Sequence, residues 1–132
     1  MGIRASEPIV WIIDNEHWPR ACLRAELIER GFEAVGFAEL PRALADLQYA
    51  YTSKPSLMVL ELRHQPIKAE ELLVIKQTGI PIIAFSGAAE WRDPLVQEFP
   101  WTAILHRPFT IGEVADLVQK MIRLDEPPGT KK

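Results

Sequence analysis

Short apolar runs alternating with stretches of helical periodicity constrain this chain more than any other feature. Ile9-Val10-Trp11-Ile12-Ile13 is unbroken and mostly β-branched. Leu57-Met58-Val59-Leu60 and Ile80-Pro81-Ile82-Ile83-Ala84-Phe85 repeat the habit. A strand with no polar face has no side to show to water. It must be covered on both faces, which is the condition of strands in parallel sheets. Pro81 lies near the start of its run, where a missing ladder donor costs least. Glu33 to Ala38 and Ala103 to Leu105 read as two shorter strands.

The intervening segments carry helix signals. Pro19 to Arg30 starts with a first-turn proline and stops at Gly31, with Leu23 and Leu27 four apart and Ile28 beside them in an inward stripe. Pro41 opens a second helix, whose Leu40, Leu44, Leu47 and Tyr51 share one face. Lys68 to Thr78 reads as a third, with Ala69, Leu72 and Leu73 inward and Gly79 as its terminator. Between Ala88 and Thr102, Pro94 and Pro100 leave room for a short fourth helix. Thr110 and Glu113 form a capping box for a fifth, with Ile111, Val114, Leu117, Val118 and Met121 inward. Repeated βα units imply one parallel sheet with helices on both faces. We expect a single domain over residues 8–124, an N-terminal extension over 1–8, and a polar, flexible tail over 125–132.

The composition narrows the class of function. The chain has 132 residues, enough for one core, and 48% of them are hydrophobic while 25% are charged, which is the balance of a soluble globular domain. A formal net charge of -3 disfavours nucleic acid as a partner. A single cysteine, Cys22, excludes an internal disulfide and fits a reducing cytoplasm. We expect it to be a small buried hydrophobe. No apolar run approaches the roughly 18 residues of a membrane span. Met1 to Pro8 lacks the apolar stretch of a signal peptide. The polar tail is also compatible with a linker cut from a longer protein.

In an open α/β sheet the ligand crevice lies beyond the carboxyl ends of the strands. The polar residues of this chain cluster there. Asp14, Asn15 and Glu16 follow the first strand, Glu61 ends the third, Ser86 ends the fourth, and Arg107 in His106-Arg107-Pro108-Phe109 follows the fifth. In order, spacing and strand context these residues resemble the receiver domain of bacterial response regulators, over about residues 8 to 124. The resemblance implies a flavodoxin-like, CheY-like fold: five parallel strands in the order 2-1-3-4-5, with five helices. It also implies a site chemistry. In that family an aspartate accepts a phosphoryl group, two upstream acids help to hold Mg²⁺, a serine or threonine reads the phosphoryl group, and a lysine before a proline completes the clamp.

This chain departs from the pattern at several of those positions. Asp14 matches the first acid and Ser86 the hydroxyl. Asn15 replaces the second acid and removes a negative charge from the cradle. Glu61 stands at the nucleophile position, one methylene longer, where misplacement on the order of 1 Å can cost about 10²-fold in rate. Arg107 replaces the lysine with a planar fork suited to carboxylates. Arg63 adds a bulky cation where the family lends a backbone carbonyl to the metal. Ile104 replaces the aromatic residue that relays the switch, and the loop after Glu61 lacks the customary glycine-containing turn. We therefore expect a self-neutralised pocket in which Arg107, with Arg63, holds Glu61 and Asp14, and Ser86 hydrogen-bonds Glu61. A glutamate there could mimic the phosphorylated state, although one charge falls short of the about -1.5 to -2 of a phosphate monoester. The set of changes favours a retained scaffold over a mimic.

The expected function is phosphorylation-independent protein–protein interaction in bacterial signal transduction, without enzymatic activity. The alternative is a working phosphoacceptor receiver of a phosphorelay. The resemblance places the partner face on the fourth helix, fifth strand and last helix, around Trp91, Trp101 and Ile104, since aromatic residues are enriched at interfaces. The partner would be a histidine kinase, another signalling protein or a second copy of the chain. Trp91 and Trp101 also read as ordinary packing residues. Trp11 reads as core, and Trp18 as a lid at the pocket edge or a helix staple. No cofactor or metal is expected, with Asp14 and Glu61 as the residues that would meet an ion. His17 and His64, each three residues beyond a pocket carboxylate, could join a transition-metal site but read better as solvent-facing loop residues. A flavin enzyme is disfavoured because Asp14-Asn15-Glu16 stands where a phosphate-binding glycine loop would be.

Overall fold

A computed structural model describes residues 7–49 and 54–124. Five parallel strands form one sheet: β1 (Ile9–Ile13), β2 (Glu33–Phe37), β3 (Leu57–Glu61), β4 (Ile82–Ser86) and β5 (Ala103–His106). Their spatial order is β2-β1-β3-β4-β5, so the expected 2-1-3-4-5 sheet is observed. The chain reverses its direction of travel across the sheet between β1 and β3. Their paired carboxyl ends, with Ile13 beside Leu60, define the crevice.

The unbroken apolar runs are explained by the two cores. Along β1, Val10 and Ile12 face one layer while Trp11 and Ile13 face the other. Along β3, Leu57 and Val59 alternate with Met58 and Leu60 in the same way. The first layer is covered by α1 (His17–Glu29) and α6 (Ile111–Leu124), through Leu23, Leu27, Val114 and Val118. The second is covered by α2 (Leu40–Tyr49), α3 (Ala69–Thr78) and α5 (Pro94–Glu98), through Leu40, Ala43, Leu72, Ile75 and Val96. Each fully buried aliphatic side chain contributes about 1.5–3 kcal/mol, so the sheet is held from both faces at once.

Local signals set the helix ends. After α1 the chain turns through Gly31 at φ 95°, and Phe32 N–H donates back to the Leu27 carbonyl. The capping box of α6 is reciprocal: Glu113 N–H donates to Thr110 Oγ1 at 3.0 Å, and Thr110 N–H donates to Glu113 Oε1 at 2.7 Å. Asp93 caps α5 by accepting from Leu95 N–H at 3.0 Å, with Pro94 behind it.

Several expectations are corrected. There are six helices among the described residues rather than five, because the short fourth one is split into α4 (Ala88–Trp91) and α5. Pro94 cannot continue α4 but suits the first turn of a new helix. Cys22 is exposed rather than buried, since it lies next to Leu23 and therefore off the inward stripe of α1. Ile28 is exposed for the same reason. On α3 the inward pair is Leu72 and Ile75, while Ala69 and Leu73 face outward. Ile111, in the first turn of α6, is likewise exposed. Tyr51, the extension over 1–6 and the tail over 125–132 lie outside the described residues.

Candidate functional site

The carboxyl ends of β1, β3, β4 and β5 bring the predicted polar residues together. Asp14 follows β1 and is 5% exposed; Glu61 ends β3 and is 4% exposed. Ser86 ends β4 and is fully buried. Arg107 follows β5, donates its backbone N–H to the Ser86 carbonyl at 3.1 Å, and precedes Pro108 through a cis peptide bond.

The central contact is between Arg107 and Glu61. Arg107 Nη1 donates to Glu61 Oε1 at 2.6 Å. The other carboxylate oxygen, Oε2, accepts from the Arg63 backbone N–H at 2.9 Å. Both oxygens of Glu61 are therefore engaged, and its charge is answered by a guanidinium at charge-assisted distance. Among the described residues Arg107 pairs in this way with Glu61 and not with Asp14.

The rest of the pocket is arranged differently. Arg63 does not hold Glu61 or Asp14 with its side chain; its Nη2 pairs with Glu16 Oε1 at 2.7 Å, on the outer rim. Arg63 follows β3 by two residues and its long side chain reaches across to the loop after β1, where Glu16 is more exposed and cheaper to pair. Ser86 Oγ donates to the Gly87 carbonyl at 2.9 Å instead of to Glu61. With Glu61 already doubly bonded, the hydroxyl finds a backbone acceptor next to it. Asn15 turns away from the acidic centre, and its Nδ2 donates to the His64 carbonyl at 2.7 Å. That bond latches the loop after β3, in which His64 adopts a left-handed φ of 60° where glycine would be unstrained.

Asp14 keeps no cationic partner for its carboxylate among the described residues. Its Oδ1 accepts from the Glu16 N–H at 2.9 Å, while Arg20 Nη1 binds its backbone carbonyl at 2.7 Å. Burial pushes the Asp14 carboxyl above its ordinary range. The bond from Glu16 N–H pulls the other way, the neighbouring charges of Glu61 and Glu16 push it up again, and the charge of Arg63 pulls it down.

Three functional contacts were not foreseen. Glu90, in the first turn of α4, accepts both from Arg107 Nη2 at 3.1 Å and from Gly87 N–H at 2.7 Å. Arg107 thus bridges two carboxylates and ties β3 to α4. A Glu at the third position of a short helix is half of a capping box, here answering the Gly87 N–H, and is the one local signal that could have revealed it. Gln65, also buried, accepts from Leu40 N–H at 2.7 Å and donates to the Glu61 carbonyl at 3.0 Å. Nothing in its local sequence marks it. Beside Glu90 and Arg107, the Trp91 and His106 rings meet edge-on at 5.2 Å.

Trp91, Trp101 and Ile104 lie on one side of the sheet, each partly buried against the second core layer. Trp101 Nε1 donates to the Val96 carbonyl at 2.7 Å. Trp11 is core, as expected. Trp18 is 73% exposed and is not a lid; its ring packs edge-on against His17 at 5.0 Å.

The Mg²⁺ implied by the resemblance does not fit these residues. Both oxygens of Glu61 are taken by N–H donors, Asn15 points its amide elsewhere, and two guanidinium groups border the centre. Asp14 alone is left, and Mg²⁺ needs several oxygens in strict octahedral geometry. Among the described residues no three His, Cys, Asp or Glu side chains are grouped to hold a metal ion. His17 and His64 are both exposed.

No family model matches the chain. No curated protein matches it either. Solved structures do. The chain is similar to a response regulator receiver protein from Pseudomonas putida, at 28% identity and a TM-score of 0.72, covering 89% of this chain and 99% of that one. It is similar in fold to a response regulator receiver protein from Sinorhizobium medicae (21%, TM-score 0.72, 91% and 98% covered). The same holds for the chemotaxis response regulator CheY4 of Vibrio cholerae (16%, TM-score 0.69, 87% and 98% covered). No helix among the described residues is long and apolar enough to cross a membrane. The strand order and these neighbours show that the chain has the fold of CheY-like response regulator receiver domains.

Proposed function

We propose that this receiver works in two-component signalling by binding a protein partner in a state that does not depend on phosphorylation. One observation carries the reading: Glu61, at the phosphoacceptor position, is closed by Arg107 Nη1 at 2.6 Å and by the Arg63 N–H at 2.9 Å. A carboxylate held on both oxygens is poorly placed for in-line attack on phosphorus, and the metal that would neutralise the phosphoryl oxygens lacks its cradle. The domain then has no group-transfer chemistry of its own. It presents one conformation, in which Arg107 holds Glu90 and with it the start of α4.

The partner face in this reading runs from α4 and α5 over β5 to α6, around Trp91, Trp101 and Ile104. Its partner is a histidine kinase, another signalling protein or a second copy of the chain. The Arg107–Glu90 pair and the Trp91–His106 contact tie this face to the pocket, which supports a fixed rather than a switched surface.

The test is incubation with acetyl phosphate and Mg²⁺ followed by intact mass. No adduct is expected, and partner capture should be the same with and without the phosphodonor. A stoichiometric gain of about 80 Da, the mass of one phosphoryl group, localised to Glu61 would overturn the reading in favour of a working phosphoacceptor.

A further inference from the structure

A cavity of about 360 Å³ opens beside Asp14 and Glu61. Its walls are apolar: Pro19 and Leu23 from α1, Phe85 from β4, Phe109, and Ile111 and Val114 from α6. Its polar end holds Asp14, Glu61, Arg63 and Arg107. An apolar body with a few convergent polar groups, in this range of volume, is the form of a small-molecule site.

The charges at the polar end are unequal. Arg107 answers Glu61 and also reaches Glu90, while Arg63 is committed to Glu16 at 2.7 Å. Asp14 is the remaining carboxylate. It is 5% exposed and accepts one hydrogen bond, from Glu16 N–H; among the described residues no cationic side chain pairs with its carboxylate. A buried carboxylate without a cation is costly, and burial already drives it toward its protonated form. A positive charge arriving from outside would remove that cost. An anion would face both Asp14 and Glu61, while the Arg63 and Arg107 guanidinium groups beside them are already paired with Glu16, Glu61 and Glu90.

We infer that this cleft is a binding site for a small amine with an aromatic or branched apolar body, its ammonium on Asp14 and its body against the wall formed by Leu23, Phe109 and Ile111. The ammonium suits a site that cannot hold a divalent ion, because one compact monovalent charge needs one carboxylate and donates hydrogen bonds rather than demanding six oxygens. The site stands on Asp14 and the apolar walls, and does not require that Glu61 be inert.

The test uses amide-resolved NMR of the full chain at pH 7, titrated with 2-phenylethylamine and, separately, with 3-phenylpropionate at matched ionic strength. Saturable shifts at Leu23, Phe109 and Ile111 are expected with the amine and not with the acid. Asp14→Asn, which keeps the shape and removes the charge, should weaken the amine at least about tenfold, a factor worth about 1.4 kcal/mol. Ile111→Trp, at the exposed mouth, should block it with Asp14 intact and serves alone if the first variant does not fold. Equal response to the acid, unchanged affinity in either folded variant, or no saturable shift would each overturn the assignment. The phosphodonor experiment reads Glu61 separately, so failure of one proposal is distinguishable from failure of the other.

Discussion

Asp14 and Arg107 are the two residues whose removal should be most informative. Asp14 holds its proton more tightly folded than unfolded, because burial opposes its charge. The sign follows from linkage: its favourable contribution is full below the ordinary value of 3.8 and is lost as pH rises through the raised folded value. Asp14→Asn keeps an acceptor for Glu16 N–H and has no charge to bury. The variant should therefore have a higher urea midpoint than the parent at pH 7, with the two converging below pH 3.8. A gain that persists undiminished in acid would contradict the burial argument. Arg107→Ala should act in the opposite direction. Breaking a fully buried pair costs about 3–5 kcal/mol. Arg107 keeps 26% of its side-chain surface exposed, so about 2 kcal/mol is expected after discounting for solvent. Adding Glu61→Gln should recover part of that loss in a double-mutant cycle, since a neutral amide needs no cation.

At the scale of elements, the loop after β3 is stitched to two neighbours by residues that sequence patterns do not mark. Asn15 holds the His64 carbonyl, and Gln65 joins the Glu61 carbonyl to the first N–H of α2. Gln65→Ala leaves a buried donor and a buried acceptor unmet. The expected cost is about 1–3 kcal/mol, with faster hydrogen exchange at Leu40 as the local readout. Unchanged exchange there would mean that water replaces the glutamine. The helices themselves were legible where a stripe had clear spacing. Leu23 with Leu27, and Val114 with Val118, are buried as read. Stripes widened to include Ile28, Leu73 or Ile111 were too generous, since a helix resting on a flat sheet buries a narrow arc and leaves the residues beside it in water. Cys22 was misread by the same logic in reverse: its type suggested the core, while its place on α1 put it outside.

Taken as one molecule, the domain has two apolar layers that share a single sheet. Neither layer can be lost without exposing the strands of the other. Urea unfolding should therefore be one transition, with tryptophan fluorescence, from buried Trp11 and partly buried Trp91 and Trp101, and far-UV circular dichroism giving the same midpoint. Separate midpoints would show that the layers melt independently. The sequence by itself determined the parallel sheet, the strands and the place of Asp14, Glu61, Ser86 and Arg107 at their carboxyl ends. It could do so because excluding water from an unbroken apolar run is a local requirement that leaves few alternatives. Only the tertiary structure decided the pairing: Arg107 with Glu61 and Glu90, Arg63 with Glu16, Asn15 with the His64 carbonyl, and Asp14 with no ion-pair partner among the described residues. These side chains are long or turn freely, and each could reach several partners. Which one it meets depends on distances set by crossovers between strands far apart in the chain, and on which acceptors are already taken.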